Sequence, residues 1–149
     1  DVGKASDMRF RNEFPEYLVR AENRTFAGNV VPSSFRGEQP LSALPKRSAV
    51  GLGGRSGVAE LTVIDPSGLT LGLRHWATFE PESPAIRFNL WADTEEGFFS
   101  PEPWLGTQNA LNSGAGLVRL EPGADWKWTI EIKPGWAELP TPTQPEKSP

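Results

Sequence analysis

Apolar and polar residues alternate along residues 58–65 (Val-Ala-Glu-Leu-Thr-Val-Ile-Asp) and 69–76 (Leu-Thr-Leu-Gly-Leu-Arg-His-Trp). A period of two is the mark of a half-buried strand, because successive side chains point to opposite faces. Asp65-Pro-Ser-Gly68 lies between the two runs. Proline presets φ at the second turn position and the later glycine accepts positive φ, so the pattern predicts a β-hairpin. The same reading places strands at 17–22, 86–91, 117–121 and 126–132, with a turn at Glu121-Pro-Gly-Ala joining the last two. Residues 12–20 are the one helix-like stretch, and Pro15 inside it removes a donor and clashes with the preceding turn. Residues 32–57 read as a long, polar, glycine-rich connection with weak strand signals, Gly51-Leu-Gly-Gly54 among them. That glycine run lacks the spacing of a phosphate loop. Beyond 133 the alternation dissolves into a proline-rich tail, and no internal repeat is visible. The expected fold is all-β, an antiparallel β-sandwich over 17–133, with an N-terminal extension over 1–16 and a disordered tail over 134–149.

Composition narrows the picture. A chain of 149 residues is enough for one core, burying roughly two-thirds of the unfolded surface at this size. Glycine and proline make up about a fifth of the chain and recur throughout, which excludes long helices. The absence of cysteine removes disulfides, thiolate metal sites and a cysteine nucleophile together, and leaves the redox compartment open. A formal net charge of -4 argues against a broad basic surface for nucleic acid. No run approaches the roughly 20 apolar residues of a spanning helix, and residues 1–10 lack the apolar centre of a signal peptide. Neither nucleic acid nor membrane is therefore an expected partner, the expected compartment is the cytoplasm, and a first residue other than Met suggests upstream removal. With one histidine and no calcium-loop spacing, no metal or other cofactor is expected. Asn23-Arg-Thr25 fits a glycosylation sequon, which matters only in a secreted eukaryotic chain. No nucleophile elbow supports a serine triad.

Candidate chemistry concentrates in Ser100-Pro-Glu-Pro-Trp-Leu-Gly-Thr-Gln-Asn-Ala-Leu-Asn112. Pro101 and Pro103 stiffen the backbone on both sides of Glu102, and Pro103 pushes it toward an extended conformation. Trp104 offers a flat apolar face, and Gln108, Asn109 and Asn112 offer amides to hydroxyl groups. A pyranose presents that mixture of C–H faces and hydroxyl edges. The same residues also suit a rigid surface loop with solvated amides, and both readings stand on these residues.

The segment, taken with Gly116-Leu, Leu120-Glu-Pro-Gly123 and the alternation over 126–132, resembles the C-terminal signature of the aldose 1-epimerase (galactose mutarotase-like) family. Ile86-Arg-Phe-Asn-Leu-Trp91 followed by Phe98-Phe99 is similar to the strand pair that leads into that family's glutamate. The likeness is specific over about 86–132 and diffuse over 17–77. It implies that the chain is the C-terminal half of a large supersandwich, with Glu102 as the general base. That base takes the proton of the anomeric hydroxyl while a histidine acid protonates the ring oxygen; rotation about C1–C2 and reclosure give the other anomer. A base in this role must come within about 2.6–3.2 Å of its proton's oxygen. The resemblance further implies a monosaccharide or sugar phosphate as substrate, and a second chain or segment supplying the N-terminal half with the acid histidine. Asn109 stands where the family has an aspartate.

Two other classes compete: a non-catalytic carbohydrate-binding β-sandwich and an interaction domain without sugar function. His75, the only histidine, reads as structural rather than as the missing acid. Arg74 and Arg87 read as solvated strand arginines, although either would suit an anionic sugar. Trp76, Trp91, Trp126 and Trp128 read as packing rings.

Overall fold

The computed structural model describes residues 7–20, 26–46, 49–55, 57–78, 86–107, 110–114 and 116–137. Ten strands follow in order: β1 (Arg9–Asn12), β2 (Glu16–Arg20), β3 (Phe26–Pro32), β4 (Gly37–Pro40), β5 (Val50–Arg55), β6 (Val58–Ile64), β7 (Leu69–Thr78), β8 (Ile86–Asp93), β9 (Phe98–Leu105) and β10 (Lys127–Trp136). A short helix, α1 (Ala110–Ser113), lies between β9 and β10. Two five-stranded sheets result, sheet A in the order β10-β7-β6-β1-β4 and sheet B in the order β3-β2-β5-β8-β9. Every recorded pairing is antiparallel, and the chain is an all-β sandwich.

The predicted hairpin is present. β6 and β7 pair from Val58 with Trp76 to Ile64 with Thr70. Gly68 takes φ 92° and donates its N–H to the Asp65 carbonyl at 2.9 Å. The Asp65 side chain receives the Ser67 N–H at 2.8 Å, which closes the turn a second time.

The alternation predicted on these strands becomes the core. Phe10, Phe14, Leu52, Leu61, Phe88 and Leu90 meet between the sheets, each at most 2% exposed. Phe14 meets Phe88 edge-on at 6.0 Å, and Phe10 from sheet A meets Phe99 from sheet B at 6.2 Å. Buried Asn12 ends β1 without an unsatisfied group: its amide donates to the Phe35 carbonyl at 2.7 Å and its oxygen accepts the Phe14 N–H at 3.0 Å.

Several expectations are corrected. The sandwich begins before residue 17, because β1 lies between β4 and β6 and supplies Phe10 to the core. Residues 12–20 hold the end of β1 and all of β2, with no helix. The supposed connection at 32–57 contains β4 and β5, and β5 is central in sheet B with Val50 and Leu52 buried in the core. Residues 117–121 form no strand; they lie between β9 at the edge of sheet B and β10 at the edge of sheet A, and no strand among the described residues pairs with them. β10 runs past 133 to Trp136, carrying Pro134 on an edge strand, where a missing N–H is tolerated. The rest of the tail expected over 134–149, from 138 onward, and the sequon at Asn23 lie outside the described residues.

Candidate functional site

β8 and β9 form a hairpin that sorts its side chains by parity. Ile86, Phe88 and Leu90 point into the core, so Arg87, Asn89 and Trp91 are placed on the outer face of sheet B. The register sets Arg87 opposite Trp104, Asn89 opposite Glu102 and Trp91 opposite Ser100. These six therefore share one face. Asp93 closes the hairpin by accepting the N–H groups of Glu95 (3.1 Å) and Glu96 (3.2 Å).

Glu102 is half-buried, and both of its oxygens are engaged. The Trp104 indole N–H donates to Oε2 at 3.1 Å and the Ser100 hydroxyl donates to Oε1 at 3.3 Å. The face of the same indole carries the Arg87 guanidinium, 5.0 Å from the ring centroid. Trp104 thus links the carboxylate to a cation, with the N–H edge on one and the π face on the other. Asn89, 3% exposed and directly across from Glu102, has an Oδ1 without a hydrogen-bond partner among the described residues.

The structure brings together only part of the expected set. Glu102 and Trp104 are adjacent on β9, a strand rather than a loop, and the extended conformation that Pro103 imposes is what β9 requires. Asn112 is exposed on α1, beyond the tight turn where Gly106 (φ 78°) packs under the Gly116 carbonyl. Gln108 and Asn109 lie outside the described residues. Arg87 is not the solvated arginine expected: it is 2% exposed, and burial pulls its guanidinium below its usual range. Arg74 is exposed and bridges Glu60 (2.6 Å) and Glu131 (3.3 Å). Asn89 was missed as a site residue, although the alternation Arg87, Asn89, Trp91 against Ser100, Glu102, Trp104 was available to reveal a polar outer face.

His75 belongs to a different environment. It points inward from β7, is fully buried, and meets Phe88 edge-on at 4.8 Å. The Trp128 indole, a donor only, gives its N–H to Nδ1 at 3.2 Å. Nε2 therefore carries the proton and donates it to the Arg87 main-chain carbonyl at 3.0 Å. Arg87 lies at an interruption of the ladder: Leu52 pairs with Phe88 and Arg55 with Ile86, so Gly53 and Gly54 both oppose Arg87 in a β-bulge. Burial lowers the pKa of His75 below 6.5, partly countered by the bond to Arg87. Sheet B stands between His75 and Glu102, and the two cannot act on one substrate atom.

A shallow concavity of about 620 Å³ crosses the outer face of sheet A, floored by Thr62, Thr70 and Gly72 and flanked by Arg11, Glu38 and Lys133. It lies on the far side of the sandwich from Glu102 and holds none of the expected site residues. Among the described residues no group of three His, Asp or Glu side chains is placed to hold a metal ion, and no helix is long and apolar enough to cross a membrane. Comparison with known protein families, curated proteins and solved structures finds no match, so the reading rests on the chain itself.

Proposed function

We propose that the outer face of the β8–β9 hairpin is a saccharide-contacting surface, and that Glu102 is the base of an aldose 1-epimerase-like site whose acid comes from outside this chain. The single observation that carries this reading is the arrangement around Glu102. Its carboxylate is oriented by an indole N–H and a hydroxyl, directly across from the unsatisfied buried oxygen of Asn89. A sugar can lay its C–H face on the exposed Trp104 ring while a hydroxyl presents its proton to Glu102.

In this mechanism Glu102 takes the proton of the anomeric hydroxyl. The electron pair left on that oxygen forms the C1 carbonyl, the bond from C1 to the ring oxygen breaks, and an acid delivers a proton to the ring oxygen. Rotation about C1–C2 and the reverse steps give the other anomer. The acid cannot be His75, the chain's only histidine, because its proton is committed inside the sandwich. A second chain or segment with its own acid group must complete the site. The substrate class is a monosaccharide or sugar phosphate.

Polarimetry on α-galactose and α-glucose tests this reading. The chain alone is expected to leave the uncatalysed rate unchanged, and a partner segment bearing the acid is expected to restore exchange that Glu102→Gln abolishes. Exchange that survives Glu102→Gln removes the base assignment. The second reading, a non-catalytic carbohydrate-binding sandwich, is favoured by the commitment of both Glu102 oxygens to internal donors. Saccharide binding without anomer exchange in the completed assembly would establish it.

A further inference from the structure

Sheet A is wider than the layer that covers it. Leu69 and Leu71 on β7 lie on the same face as buried Leu73 and His75, and Trp128, Ile130, Ile132 and Trp136 on β10 extend that face by register. Yet these six are 37% to 74% exposed. Six large apolar side chains exposed together on one face are more than the singly scattered apolar residues that need no explanation on a monomer's surface.

The stripe adjoins an open strand edge. The Ala137 N–H donates to the Gly68 carbonyl at 2.7 Å, and the Leu69 carbonyl accepts from Asp65 on the opposite side. Because a strand residue turns its N–H and C=O the same way, the odd-numbered residues of β10 bond to β7 and the even-numbered ones face outward. Among the described residues β10 pairs with β7 alone. The free edge therefore offers N–H groups at Trp128, Ile130, Ile132 and Trp136, and only a carbonyl at Pro134.

We propose that this edge pairs with β10 of a second copy of the chain, antiparallel and centred on Ile132. The choice of occupant and register comes from self-complementarity. Centred on Ile132, Glu131 of each copy faces Lys133 of the other on the outer side, while Trp128 faces Trp136 and Ile130 faces Pro134 on the apolar side. Centring on Glu131 or Lys133 sets like charges directly opposite each other, which is destabilising. Centring on Ile130 opposes Lys127 to Lys133, and centring on Pro134 leaves no donor at the axis. The Ile132 register alone pairs unlike charges twice and keeps a full pair of main-chain bonds at the centre. The two A sheets become continuous and the exposed apolar side chains pack in cross-strand pairs, which resolves both the open edge and the stripe.

Sedimentation velocity over a micromolar concentration series tests the pairing, with circular dichroism to show that each variant is folded. The wild-type chain is expected to form a dimer. Ile132→Pro, which removes an outward N–H without touching a bond to β7, is expected to be monomeric. Lys133→Glu sets glutamates opposite each other and is expected to weaken the dimer roughly tenfold at low ionic strength. The exchange Glu131→Lys with Lys133→Glu restores the unlike pairs and is expected to recover most of that loss, which no merely structural effect would do. A wild-type chain that stays monomeric overturns the pairing and leaves the stripe to another segment or partner. A dimer indifferent to Ile132→Pro and Lys133→Glu overturns the register.

Discussion

His75 and Glu102 are the two side chains from which acid–base chemistry would be sought first, and their surroundings are opposite. His75 lies between the sheets with one ring nitrogen accepting from Trp128 and the other donating to Arg87, so its proton has a structural address. Glu102 lies on the outer face of sheet B, half-buried, held by donors of its own strand and facing the unsatisfied oxygen of Asn89. Both are hydrogen-bonded; what separates them is what a change would leave behind. Loss of His75 leaves a core cavity and takes the partner from the Arg87 carbonyl and the half-buried Trp128 N–H, whereas loss of the Glu102 charge affects a half-buried site at the protein surface.

The largest expected effect follows from that asymmetry. His75→Ala opens a core cavity and strands the Trp128 N–H and the Arg87 carbonyl, and is expected to cost about 3–4 kcal/mol in urea unfolding. A cost below about 1 kcal/mol would break the contrast, because it would make His75 dispensable to the fold. Next comes Gly54→Ala at the bulge opposite Arg87. The residue sits at φ 79°, and an added Cβ would lie 2.8 Å from the Glu16 carboxylate. An expected loss of about 1–2 kcal/mol, read the same way, would tie the bulge to the core.

The pH dependence is smaller and has a fixed sign. Burial lowers the folded-state pKa of His75 below the unfolded value of 6.5. The unfolded chain therefore binds the extra proton first, so this contribution is fully present above pH 6.5 and is lost as pH falls below it toward the folded value. The imidazole resonances of the folded protein should titrate with a midpoint below 6.5, while the urea midpoint declines below that pH. Titration at 6.5 in the folded state would contradict the buried assignment. The smallest stability effect belongs to Glu102→Gln, expected within about 0.5 kcal/mol of wild type although saccharide contact is lost.

The hairpin at Asp65-Pro-Ser-Gly68 and the strand at 86–91 were legible because period-two alternation and turn chemistry agreed with the tertiary outcome. β5 was not, since Val50-Gly-Leu-Gly-Gly-Arg55 has few side chains to display a period, and it is burial of Val50 and Leu52 that makes it a central strand. Leu117 and Leu120 suggested a strand, but pairing needs a neighbour, and no strand among the described residues pairs with them. At the site, Glu102 and Trp104 could be singled out from their own segment. For Asn89 and Arg87 the alternation shows a shared polar face, but which residues of β9 stand across from them depends on a register that local sequence does not display. The exposed stripe on β10 was hidden for a similar reason: alternation tells which residues share a face, not whether a second sheet reaches far enough to cover it.

The most direct test uses two indole N–H groups as internal reporters, one on each side of the contrast. Trp104 donates to Glu102 and Trp128 donates to His75. In a proton–nitrogen NMR titration with galactose, glucose and a sugar phosphate, the Trp104 indole signal should shift saturably with at least one of them, and the Trp128 signal should stay in place. The Glu102→Gln protein should lose the response. A Trp104 signal unmoved by all three, or a response that appears at Trp128 instead, would contradict the assignment of the β8–β9 outer face as the saccharide surface.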